Sequence, residues 1–188
     1  MIGDIIAALI GNYMTTCFVI GLVVGLVAVL RRRGRGTGVR PAEEFLNSFV
    51  FWAIGVGQAI NFVMHSVFGD FAASTIGWAQ SPFQLELAFS SLGVAVMAFI
   101  LHGRTTQLRA KVALVAASAV FGYGAAAGHV YQMVVNHDFA VNNTGLLLIM
   151  DVLIPTVGIA FAIWSAVAGR RHPAAADRAA TPEPAISR

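Results

Sequence analysis

The sequence predicts an all-α fold: a polytopic transmembrane bundle of five spans, with its N-terminus outside and its C-terminus cytoplasmic. Three observations lead there. The 188 residues are 57% hydrophobic and 11% charged, where soluble domains carry about a quarter charged residues. The apolar residues gather into five runs of about twenty, enough to cross a ~30 Å hydrocarbon core at 1.5 Å rise per residue. The basic residues, finally, flank those runs on one side only. This composition excludes a soluble enzyme, and runs of this length exclude an outer-membrane barrel.

The runs fall at about 5–30, 45–68, 82–101, 112–135 and 144–168. The first lacks the basic n-region and the A-x-A-like cleavage site of a signal peptide and is too long for an h-region, so it reads as a span. The second opens at "PAEEF", a proline followed by acids in the first turn, which is a structural helix start. The third opens at "SPFQ". Ser81 suits an N-cap, Pro82 the first helical position, and Gln84 completes a Ser-x-x-Gln capping box. Gly122, Gly124 and Gly128 let the fourth span approach a neighbour closely. In the fifth, Pro155 has no N–H to offer the carbonyl of Asp151. Residues 1–168 read as a single domain. The Ala- and Pro-rich tail, 169–188, has no apolar periodicity and is expected to be disordered.

Topology follows from the connections. Loop one, "RRRGRGTGVR", holds five arginines; loop three holds Arg104, Arg109 and Lys111; the tail holds Arg170, Arg171, Arg178 and Arg188. These are all twelve Lys and Arg residues of the chain. Loops two and four have none. Positive loops stay cytoplasmic, so the chain is expected in the cytoplasmic (inner) membrane as a multi-pass protein. A formal charge of +3 distributed in this way points to the lipid bilayer and away from nucleic acid. Cys17 is the only cysteine, which rules out an internal disulfide or a Cys-rich zinc site; it reads as a small packing residue. Phe68, Phe71 and Trp78 in loop two suit an interfacial lid near the headgroups.

Given that orientation, the polar residues sort by depth. Gln58, Asn61 and His65 share one face of span two, in its outer half. Glu86 lies about one turn into span three, His129 one to two turns below the outer end of span four, and Asp151 about two turns deep in span five. Asn12 sits at similar depth in span one. The inner half carries almost no polar groups. Ionisable residues inside a span cost at least ~2.5 kcal/mol at the centre on insertion scales and should face one another. A single cluster of Glu86, His129, Asp151, His65, Asn61, Gln58 and Asn12 is therefore expected near the outer surface. Each residue also has a plainer explanation. Glu86 is favoured by the helix dipole, by roughly 0.3–1 kcal/mol; His65 is placed to snorkel; His129 and Asp151 could serve packing alone.

Three functional classes fit such a cluster. His129, Glu86, Asp151 and His65 are donors suited to a divalent metal ion such as Zn, Fe or Mn, and two histidines on separate helices admit a b-type haem as the lesser alternative. No H-E-x-x-H or di-iron Glu-x-x-His pattern accompanies them. Intramembrane Asp, Glu and His also mark proton relays and transport paths for ions or small solutes. In the third class, a structural or assembly subunit of a membrane complex or a homo-oligomer, the cluster fixes helix register. No motif assigns a reaction, so whether the protein is an enzyme stays open at this level.

One set of residues adds a resemblance. Trp78-x-x-Ser81-Pro82-Phe83-Gln84-x-Glu86, then Gly128-His129, Asn143-x-Gly145 and Asp151-x-x-x-Pro155 resembles a family of small polytopic prokaryotic membrane proteins known only as a domain of unknown function. The resemblance covers about 43–160, not span one or the tail, and implies no activity. It points to Glu86, His129 and Asp151; His65 lies outside it.

Overall fold

The computed structural model describes residues 11–33 and 40–171. The expected start of the first span and the expected disorder of the tail beyond 171 lie outside the described residues. Within them, every regular element is helical. Five helices are long and apolar enough to cross a membrane, which makes the chain a multi-pass membrane protein.

Helix α1, Tyr13–Arg33, ends on Arg31, Arg32 and Arg33, cations that complement the negative end of the helix dipole. Its buried face is Cys17, Phe18, Gly21, Gly25 and Val29, a stripe recurring every four residues. The glycines let a neighbouring backbone in: a Cβ on Gly21 would lie 3.2 Å from Trp52 Cβ, and one on Gly25 only 2.8 Å from Phe45 Cδ1. Cys17 is buried and unpaired, in keeping with a packing role.

Helix α2, Pro41–Ser66, runs back from the basic end. Its middle, Phe49–Val56, is wound as a π-helix, which rotates the apolar face part-way along its length. Phe49 then packs edge-on against Phe161, 6.0 Å between ring centroids. Gly158 makes room for it, since a Cβ there would lie 2.6 Å from Phe49 Cε1.

A short helix, α3, Gly69–Ile76, follows and is closed by Gly77 at φ +78°, a left-handed position that favours glycine. Helices α4, Phe83–Leu101, and α5, Leu108–Val135, are the next two spans. One helical turn, α6, Val141–Thr144, leads through Gly145 into α7, Leu146–Arg171. α5 lies along α7, and the non-basic half of α2 lies along α4. The core between them contains Phe18, Leu46, Phe49, Val50, Ile54 and Leu114. The outward faces are apolar, with Val23, Leu30, Phe89, Ile100, Val120 and Ile163 all exposed, as side chains in contact with lipid should be.

Three spans begin earlier than their sequence patterns suggested: Pro41 instead of 45, Leu108 instead of 112, and Val141 instead of 144. The first two of these extra turns lie at the basic end and correct the expectation that this half is nearly free of polar groups. Glu44, read as an acid in a first helical turn, and Lys111, read as part of loop three, are drawn into the bundle and buried at 7% and 5% exposure. Arg104 Nη2 donates to both carboxylate oxygens of Glu44 at 2.7 Å, and Arg32 Nε approaches at 3.6 Å. Lys111 Nζ donates to Asn47 Oδ1 at 2.6 Å and to the Gly103 carbonyl. Glu44 is thus paired with cations, and Lys111 is hydrogen-bonded to two neutral oxygens. The hydrophobic pattern alone could not place these charges, because partners distant in sequence are what draw them inward.

Candidate functional site

The site forms at the end of the bundle opposite the arginines, and Asn143 is its hub. Asn143 is 0% exposed and sits on α6, where the chain turns back into α7. Its amide nitrogen donates to the Asp138 carbonyl at 2.9 Å and the His129 carbonyl at 3.3 Å. Its amide oxygen accepts from Trp78 Nε1 at 3.0 Å and lies 2.7 Å from His129 Nδ1. Two acceptors on one side and an indole N–H on the other fix which way the amide points. Since that oxygen can only accept, His129 Nδ1 carries a proton. This settles the tautomer by logic of the network.

The other ring nitrogen of His129 faces Asp151. Nε2 and Oδ2 are 3.4 Å apart, with the His129 side chain 6% exposed and that of Asp151 19%. The Trp78 ring leans on the imidazole at 5.2 Å between centroids. Gly122 permits the close approach of α7, while a Cβ on Gly128 would make only ordinary contact. Trp78 Cη2 lies 3.4 Å from where a Gly128 Cβ would stand, and a Cβ on Gly122 would meet the Asp151 carbonyl at 3.1 Å and Pro155 Cγ at 3.2 Å. Gly77 admits the Asp138 carboxylate, whose Oδ1 would be 2.7 Å from a Cβ there, and this anchors the loop that delivers Trp78.

The remaining expected residues divide among separate sites. Asn61 accepts from the Tyr13 hydroxyl and donates to Ser91 Oγ at 2.8 Å, tying α1, α2 and α4 together with its polar atoms satisfied. His65 Nδ1 lies 2.8 Å from Gln84 Oε1, beside an open pocket of about 640 Å³ formed by α2, α3 and the start of α4. Asn12 is half-buried at the start of α1, its carbonyl accepting the Thr16 N–H at 2.9 Å. Gln58 is buried near Asp151 along a second, internal cavity. Glu86 is exposed in the first turn of α4, and its carboxylate has no side-chain partner among the described residues. Of the seven expected cluster residues, then, His129 and Asp151 meet directly.

The cap also differs in detail from the expected box. Helix α4 opens at Phe83, with Pro82 in the capping position. Ser81 Oγ accepts the Phe83 N–H at 3.3 Å. Gln84 does not return to the Ser81 N–H, which bonds Gln80 Oε1 instead. Its amide donates to the Gly69 carbonyl at 3.1 Å and to Gln80. Tertiary partners outbid the local box.

Asn143 and Trp78 are the residues that patterning by depth overlooked. Both stand within the family-like pattern of the sequence, which was the available signal. A family model described as a family of unknown function, DUF6790, matches residues 11–171. The chain belongs to this family. The match reaches back to residue 11 and so takes in α1, which the sequence resemblance had left out. It also contains every residue of the Trp78–Asn143–His129–Asp151 network. No curated protein and no solved structure matches the chain, so the function of this DUF6790 member has to be argued from its own side chains.

Proposed function

We propose that the protein handles protons in the cytoplasmic membrane, with its N-terminus outside, its basic loops in the cytoplasm, and His129 and Asp151 as the working pair. Orientation is supported by the one-sided distribution of Lys and Arg. The observation that carries the reading is the pair of contacts made by the His129 ring nitrogens. Asn143 holds the Nδ1 proton of His129, so a second proton has two homes, Nε2 of His129 and Oδ2 of Asp151, 3.4 Å apart. A histidine changes charge near neutral pH, and a half-buried carboxylate beside it makes that change responsive to its surroundings.

The donor geometry favours protons over a divalent metal. A metal centre of the kind expected needs three or four converging donors. Among the described residues no three His, Cys, Asp or Glu side chains converge; His65 is engaged by Gln84, and Glu86 faces outward.

The test uses Trp78 as a built-in reporter, because a protonated imidazole quenches an adjacent indole. Fluorescence of the detergent-purified protein is titrated from pH 5 to 9. Emission should rise as His129 loses its proton, over a background from Trp52 and Trp164. The transition should vanish in His129→Gln and shift in Asp151→Asn. A flat profile in folded wild type would sink the proton reading and leave the network as a packing device.

A further inference from the structure

We infer that the cavity bounded by α1, α2, α5 and α7 is a binding site for a small monovalent cation of the sodium class, held by oxygens of Asp151, Gln58 and Ser118. This deepens the proton-handling reading and rests on it in one respect: Asp151 is the carboxylate used by both ions.

The cavity measures about 40 Å³, and its polar lining comes from α2, α5 and α7. Gln58 is 5% exposed, and its amide oxygen has no partner among the described residues. Ser118 Oγ is likewise buried without one. A buried oxygen without a partner is costly and asks for an explanation; two such atoms on one cavity, on different helices, ask for a common one. Asp151 lines the same cavity. Its carboxylate accepts no conventional hydrogen bond among the described residues, its one close partner being His129 at 3.4 Å. Pro155 also lines the cavity and withholds the N–H that would cap the Asp151 carbonyl. That carbonyl lies 3.1 Å from where a Gly122 Cβ would stand, at the same wall.

These features select the ligand. Carboxylate, amide, hydroxyl and carbonyl oxygens suit a hard cation. One carboxylate balances one positive charge. A divalent ion would leave net charge buried in low dielectric, at high cost, and Ca²⁺ takes six to eight oxygens, usually from several carboxylates. A cavity of about 40 Å³ has room for a small ion with water beside it. Unwound or freed backbone carbonyls inside a helical bundle can serve as such ligands. A cation beside Asp151 also opposes a proton on His129 Nε2, so the two ions compete across the 3.4 Å contact.

The experiment is thermal unfolding of the full chain in detergent at pH 8, in NaCl, LiCl, KCl or choline chloride at equal ionic strength. Near saturation, Na⁺ should raise the midpoint by about 3 °C or more over choline. Ser118→Ala and Gln58→Leu should each weaken the apparent Na⁺ affinity roughly tenfold, with the choline midpoint of each variant reporting that it folds. Direct binding of radioactive Na⁺ to the same samples gives a readout independent of stability. Na⁺ should also move the Trp78 fluorescence transition to lower pH. Equal midpoints in all four salts, with no bound Na⁺ in folded wild type, would overturn the site and leave a water-filled cavity. An apparent Na⁺ affinity unchanged by both substitutions would overturn it too, by placing the ion elsewhere. If Na⁺ binds and its affinity falls in both variants while Trp78 shows no pH transition, the cation site stands and the proton reading falls.

Discussion

His129 is held between two oxygens of different character: Asn143 Oδ1, 2.7 Å from Nδ1, and Asp151 Oδ2, 3.4 Å from Nε2. The first is a neutral, fully buried acceptor that anchors the ring. The second is an ionisable group on another helix, largely but not fully buried. The asymmetry turns a buried histidine into one with a single exchangeable position, and it makes Asn143 a positioning residue for whatever occurs at Nε2.

Replacing Asn143 should therefore be severe. Asn143→Leu leaves the Trp78 N–H, the His129 Nδ1–H and two carbonyls without their partner. Unsatisfied buried groups cost about 1–3 kcal/mol each, not additively, so a net loss of about 3 kcal/mol is expected. Denaturant or thermal unfolding in detergent measures it. Trp78→Phe keeps an aromatic ring beside His129 but loses the indole hydrogen bond and part of the packing, and should cost less, about 1–2 kcal/mol.

The basic end offers a contrast between two ion pairs. Arg104 grips the buried Glu44 with two contacts of 2.7 Å, while Arg40 meets Glu43 at 3.0 Å with both side chains exposed. Arg104→Ala should destabilise by about 2 kcal/mol, tempered by the exposure of Arg104 and by the residual Arg32 contact. Arg40→Ala should change stability by about 0.5 kcal/mol or less. Equal effects in parallel unfolding curves would mean that Glu44 is not confined as described.

Close helix packing makes a third prediction. Gly158→Ala forces a methyl to within 2.6 Å of the Phe49 ring, and should cost about 1–3 kcal/mol by overpacking. Gly93 on α4 has nothing within 4 Å of the corresponding position. Gly93→Ala should be neutral or stabilising by up to about 1 kcal/mol through helix propensity. The pair of variants separates contact from propensity in one melting experiment.

Glu86 supplies a negative control. It is exposed in the first turn of α4, so Glu86→Gln should remove only a dipole interaction of roughly 0.3–1 kcal/mol. The Trp78 fluorescence titration should be unchanged. A transition displaced as far as in Asp151→Asn would place Glu86 in electrical contact with His129.

Much of the architecture was legible from residue order. Twenty-residue apolar runs specify spanning helices because lipid leaves a backbone no other way to satisfy its polar groups. Of the glycines preceding His129, Gly122 meets the expected close neighbour, with the Asp151 carbonyl 3.1 Å from where its Cβ would stand, while Gly124 has nothing within 4 Å. The cluster was legible in part. Depth alone brought His129 and Asp151 to one level, but it brought Glu86, His65 and Asn61 there as well. Azimuth around each helix axis separates them: Glu86 faces outward, His65 joins Gln84, and Asn61 joins Tyr13 and Ser91.

The sequence by itself determined the solvent, the helices and the end of the bundle at which His129 and Asp151 lie, because hydropathy and charge act along the chain one segment at a time. Tertiary structure decided which polar groups touch. Asn143 became the hub because the loop before α4 brings Trp78 to it from 65 residues away, and Glu44 was drawn inward because Arg104, sixty residues away, could pair with it. Such contacts depend on the rotation and separation of whole helices. Those are set by packing among all of them at once, and no local stretch of residues encodes them.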